Sequence, residues 1–213
     1  MRVNNQNNIS FGTNIKVISP KCFKHIVRNV CMKPGFEFVD RWMIKGYPYE
    51  LGYRTNLEFG ATARIRTCAA GITVKKGSRP PLFWHILDSA ENINNFPILE
   101  KKIKGDSAIL VGTKSYFHYS KILCGRFKKA LHDKKIMTTM LTSLAPKWEA
   151  NIAYSSKKDT MFICVKECFR DEPYVKSMEQ LKEVFGTIKI SPVDKLSFAN
   201  PIEELFMRGL IKR

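Results

Sequence analysis

The chain has 213 residues, with 36 Lys+Arg against 19 Asp+Glu for a formal net charge of +17, and it is 44% apolar and 11% aromatic. That composition excludes a disordered chain and suits one domain with decorations, or a domain with a small subdomain. No stretch approaches about eighteen consecutive apolar residues, and Met1 to Asn8 has no apolar region after its charge, so neither a transmembrane helix nor a secretory signal peptide is expected. The cytoplasm is the expected compartment, with export by a route needing no cleavable signal left open.

Taken in chain order, the Asn-rich first eight residues read as a frayed end. The segment to about Gly60 is punctuated by Lys33-Pro34-Gly35 and Gly46-Tyr47-Pro48, which leaves room for short strands or turns anchored by Phe36, Phe38 and Trp42. From Thr67 to Val74 and from Leu82 to Leu87 two apolar, β-branched runs flank Lys76-Gly77-Ser78-Arg79-Pro80-Pro81 and predict a β-hairpin. Asp88-Ser89 offers an N-cap for a helix ending before Gly105, which Pro97 is expected to break or delay. Ala108 to Gly112 reads as a short buried strand.

Ser120 to Lys135 is the clearest helix, because Ile122, Leu123, Phe127, Ala130 and Leu131 lie along one stripe. A strand follows over Ile136 to Leu141, then a second hairpin from Glu149 to Tyr154 and Thr160 to Lys166. Ser177 with Gln180 forms a capping-box pattern for a helix that Gly186 ends, and Asn200-Pro201 opens a last short helix. The order predicts an α+β fold: a mixed β-sheet or sandwich with a packed amphipathic helix and a short helical C-terminal tail. Residues 1–56 are expected as an N-terminal extension packed on the core, 57–168 as the core, and 169–213 as a helical C-terminal extension.

Charge is unevenly spread. Residues 1 to 169 hold 28 basic and 12 acidic side chains, a surplus of 16, and Lys101 to Lys135 has ten basic residues against Asp106 and Asp133. Lys121, Arg126, Lys128 and Lys129 are the candidate anion-binding residues, and nucleic acid is a partner this helix could take. No zinc-finger, helix-turn-helix or RNA-binding strand motif accompanies them, so the nucleic-acid signal is weak and a solvated lysine face is the favoured reading. The six cysteines read as reduced thiols. Cys164 and Cys168, four apart on a strand, sit too far from each other to chelate one ion, so no metal and no other cofactor is expected.

The constellation that could carry chemistry is Cys68 with His85, seventeen residues later on the partner strand. Paired around the turn, the two become near or diagonal neighbours on one face. An adjacent imidazole both stabilises a thiolate and protonates its leaving group, which is what a cysteine nucleophile needs. Thr62 would orient the ring, and the small side chains of Ala69, Ala70 and Gly71 would let a carbonyl approach their amides as an oxyanion hole. Against this, a cysteine and a histidine beside Trp84 also fit a packed core. His118, His132 and Cys124 are weaker candidates on or beside the lysine-rich helix.

Thr62, Cys68 after six residues and His85 after a further seventeen, on a strand-turn-strand, resemble the Thr, Cys and His pattern of the chemotaxis receptor-glutamine deamidases, the CheD family. That Cys-His hydrolase fold is shared with the cytotoxic necrotizing factor toxins. The similarity covers roughly residues 57 to 168, continuing through Ala108 to Gly112, the helix with Gly125-Arg126 near its start, and the hairpin 149 to 167. Arg66-Thr67 stands where the family has Gly-Ser, Phe83-Trp84 where it has paired glycines, and Ser143 to Trp148 where it has a Gly-rich segment. The resemblance implies a protein-glutamine deamidase and a protein substrate, with Cys68 attacking a carboxamide, His85 protonating ammonia, and Thr62 holding the imidazole. The alternative is a non-catalytic basic module that binds nucleic acid or an acidic protein.

Overall fold

Alternation along the strands divides the apolar side chains among three cores, and the cores define the layers. The computed structural model describes residues 14–30, 36–38, 59–75, 79–113, 118–185 and 189–191. The expectations for the first eight residues, Trp42, Gly186 and the helix from Asn200 lie outside them.

One sheet, A, has the order β1-β9-β8-β3-β2, built from β1 (Asn14–Val17), β9 (Thr160–Glu167), β8 (Trp148–Ser155), β3 (Phe59–Ile65) and β2 (Phe36–Phe38). The other, B, has the order β10-β7-β6-β4-β5, built from β10 (Lys189–Ser191), β7 (Met137–Leu144), β6 (Ser107–Thr113), β4 (Ala69–Lys75) and β5 (Arg79–Ile86). Both are mixed: β1 pairs parallel to β9 and β2 to β3 in A, and β6 parallel to β7 in B, the rest being antiparallel. The fold is α+β, a sandwich of two sheets. Both predicted hairpins are present, β4 with β5 and β8 with β9. The segments flanking 57–168 complete the sheets, with β1 and β2 at the edges of A and β10 at an edge of B.

Between the sheets, Ile65, Ile152 and Ile163 of A meet Ile72, Phe83 and Val111 of B, and Leu181 and Phe185 of α4 (Met178–Phe185) enter the same core. On the outer face of B, Trp84, Ile86 and Leu110 pack under α2 (Ala90–Lys102) and α3 (His118–Asp133). The Phe127 ring stacks on Trp84 with centroids 5.3 Å apart and meets Phe96 edge-on at 5.0 Å. On the outer face of A, Phe23 of α1 (Pro20–Val30) covers Ala61, Ala153 and Cys164.

That first helix corrects the expectation of strands and turns only before Gly60. Its signals are local: Ser19 Oγ accepts from the Cys22 N–H at 3.2 Å as an N-cap, and Pro20 stands at the first helical position. Phe23, Ile26 and Val27 then form its apolar stripe.

Pro97 does not break α2, which runs continuously from its cap, Ser89 Oγ accepting from Asn92 N–H at 3.1 Å. A proline four residues on leaves the Ile93 carbonyl without its helical donor. Arg126 of α3 supplies one instead, its guanidinium donating to Ile93 O at 2.5 Å. Lys134 likewise donates to the carbonyls of Glu100, in the last turn of α2, and of Ile103, its C-cap. Part of the basic run therefore joins one helix to another.

Candidate active site

The site is built where the chain crosses from sheet A to sheet B. In β3 the ladder pairs Thr62 with Ile152 and Ile65 with Ala150, so Ala63 and Arg64 bulge opposite Asn151. Arg64 is left-handed, at φ 62°, and its N–H donates to Asn151 Oδ1 at 2.9 Å. The bend Arg66-Thr67-Cys68 then leads into β4.

Thr62 shares the face of Ile152, which belongs to the core between the sheets, and His85 pairs with Ala70, which belongs to it too. The two polar side chains therefore meet across the sandwich: Thr62 Oγ1 and His85 Nδ1 share a hydrogen bond of 2.6 Å, and both residues are 0% exposed. Cys68 lies in the bend just before β4, two residues before Ala70, so the ladder continued one step past the Ala69–Ile86 pair would set it diagonal to His85. Cys68 is itself only 2% exposed.

Cys68 also contributes to the wall of a cleft of about 800 Å³ that opens on the outer face of sheet A beside α1. The floor of this cleft is polar. Glu149, Asn151, Cys164 and Lys166 project from β8 and β9, with Lys166 Nζ 3.0 Å from Glu149 Oε1 and 3.7 Å from Asp171 Oδ1. Burial pushes the Cys164 thiol up to about 11, against a smaller opposing effect of its hydrogen bond with Asn151. At the rim, Arg66 lies 4.4 Å from the centroid of the Phe169 ring.

A second polar network fixes the bend beside the thiol. Thr67 Oγ1 donates to Asp88 Oδ1 at 2.7 Å, and Ser120 Oγ contacts both Asp88 Oδ2 at 2.9 Å and the Thr67 carbonyl at 2.5 Å. Asp88 and Ser120 read in the sequence only as helix-start residues. No spacing marks them as partners of Thr67, because the three come from separate elements.

The expected oxyanion residues, and two of the four expected anion-binding residues, have other partners. Ala69, Ala70 and Gly71 lie in β4, and Ala70 and Gly71 have strand neighbours on both sides, so their amides belong to the ladder and not to an oxyanion hole. The missing side chain of Gly71 makes room for protein: a Cβ there would lie 2.4 Å from Ile109 O and 2.6 Å from the Trp84 ring. Of the anion-binding set, Arg126 serves the Ile93 carbonyl and Lys129 pairs with Asp133, while Lys121 is exposed and Lys128 half-buried. Cys124 is buried with its Sγ against Gly112, His132 is half-buried 3.6 Å from Asp133 Oδ1, and His118 is the first residue of α3.

Among the described residues no three His, Cys, Asp or Glu side chains are grouped to hold a metal ion, and no helix is long and apolar enough to cross a membrane. No family model matches the chain, and neither a curated protein nor a solved structure matches it.

Proposed function

We propose that the protein is a cysteine amidohydrolase, a protein-glutamine deamidase of the CheD-like kind, with Cys68 as nucleophile, His85 as acid and base, and Thr62 as the residue that positions the ring. The observation that carries this reading is the buried hydrogen bond between Thr62 Oγ1 and His85 Nδ1. With Nδ1–H donating to the Thr62 hydroxyl, the imidazole is in the tautomer whose Nε2 is basic, the nitrogen that must take the thiol proton. The thiolate then attacks the carboxamide carbon, and His85 gives that proton to the departing ammonia, leaving a thioester. Water attacks the thioester with His85 as base, the carboxylate leaves, and the thiol is restored. Cys68 lines the cleft wall at the start of the strand that pairs with the strand of His85, which supports a thiol open to substrate on one side and near the imidazole on the other. The lysine-rich helix lends the rival binding-module reading less support, since Arg126, Lys129 and Lys134 already have protein partners.

Alkylation of each cysteine in the native protein, followed by mass spectrometry across pH, is the test. Cys68 is expected to react well below the reference thiol pKa of about 8.5 and to lose that advantage in His85→Ala, with Cys164 as the inert internal reference. Ammonia release from glutamine-bearing proteins should vanish in Cys68→Ala. Thr62→Val should lower kcat about a hundredfold, with Thr62→Ser restoring most of it. A folded Cys68→Ala variant with undiminished activity would sink the proposal.

A further inference from the structure

The cleft beside Cys68 has a charge arrangement that the chemistry of the nucleophile does not require. Lys24 is paired with Asp171 at 2.5 Å, and Lys166 with Glu149, so these cations are already neutralised inside the cleft. Arg64 and Arg66 are not: among the described residues neither has a carboxylate within ion-pair distance. Both lie on the cleft, two and four residues before Cys68.

Their backbone and their neighbour point the same way. Four non-glycine residues among those described have positive φ. Lys135 follows α3 and Asp159 lies in the β8–β9 turn, where such angles are ordinary. The other two, Arg64 at φ 62° and Phe169 at φ 65°, both line the cleft. Phe169 is 84% exposed, and Arg66 lies over its ring. An arginine over an aromatic face, with its edge toward solvent, keeps its forked donors available to a carboxylate.

We propose that this cleft is the substrate groove and that it selects an acidic protein segment, Arg64 and Arg66 taking carboxylates beside the target glutamine while Phe169 carries an apolar side chain of the same segment. This rests on the reading of Cys68 as the nucleophile. The cleft volume lies within the usual range of ligand sites, about 300–1,000 Å³. A nucleic acid fits less well, because only two cations of the cleft are uncommitted among the described residues, whereas a nucleic-acid interface can engage about six to ten phosphates.

The test uses the full chain carrying Cys68→Ala and fluorescent peptides with one glutamine, either flanked by glutamates or with each glutamate replaced by glutamine. The acidic peptide should bind at least tenfold more tightly, and its affinity should fall with salt. Arg64→Gln and Arg66→Gln should each weaken it about tenfold, the weight of one charge-assisted hydrogen bond, and Phe169→Ala should weaken both peptides. Lys182→Gln, removing an exposed cation on α4 away from the cleft lining, should leave affinity unchanged. Equal affinity for the two peptides, or retained affinity in both arginine variants, overturns the proposal, and tighter binding of a single-stranded oligonucleotide reassigns the groove. The deamidase reading fails separately, if wild-type protein binds the acidic peptide and releases no ammonia from it.

Discussion

The outer faces of the two sheets are covered by helices in opposite ways. Sheet B turns Trp84, Ile86 and Leu110 toward α2 and α3, and the apolar core there is sealed by the Phe96, Phe127 and Trp84 rings. Sheet A offers α1 a small patch around Ala61, Ala153 and Cys164, and beside it places Glu149, Asn151 and Lys166 at the bottom of an open cleft. Even a paired set of charges such as Glu149 and Lys166 is commonly no more stabilising than apolar residues of similar volume, so stability alone gives no reason to place them there, and B turns apolar residues outward instead. The contrast separates the sealed half of the sandwich from the half that carries the open cleft, where binding is proposed, and Cys68 stands at the crossing between them.

The largest expected effect lies on the sealed face. Phe127→Ala should destabilise the protein by about 3–5 kcal/mol in urea unfolding, because it empties a site between two aromatic rings, and Phe23→Ala on the open face should cost clearly less. Equal losses would erase the distinction between the faces.

The open face should show itself through pH. Because folded Cys164 holds its proton to about 11 while an unfolded thiol releases it near 9, stability should drop as pH climbs through that interval. Relative to Cys164→Val, the wild type should lose about 2–3 kcal/mol between those limits. A constant difference between the two proteins would mean that water reaches the cleft floor.

Smallest is the loss of the tie between helices. Arg126→Met leaves the Ile93 carbonyl unsatisfied and should cost about 1–3 kcal/mol, with hydrogen exchange rising locally around Pro97. If that variant instead changed only salt-dependent binding of anions, Arg126 would belong to a ligand site after all.

Much of the fold was legible one residue at a time. Both hairpins, the buried strand before α3, the α3 stripe and the Ser177 cap follow from alternation, spacing and capping residues, which act over a few positions. The helix α1 carried such signals too, in Ser19-Pro20 and the Phe23, Ile26 and Val27 stripe, but the glycine and proline punctuation downstream masked them. Cys68 and His85 could be named as candidates because they flank the predicted hairpin, and Thr62 because its spacing from them matches the resemblance; the hairpin itself is present.

What the sequence alone determined, then, is the set of elements and the residue types on each face, since period and propensity are local properties of the chain. Tertiary structure decided which faces meet. Thr62 reaches His85 because sheet A lies on sheet B, Pro97 is tolerated because Arg126 arrives from another helix, and Ala70 and Gly71 lose their amides to strands on both sides. Each of these depends on hydrogen-bonding groups far apart in the chain being satisfied together, a condition imposed by stacking and strand order and carried by no local pattern.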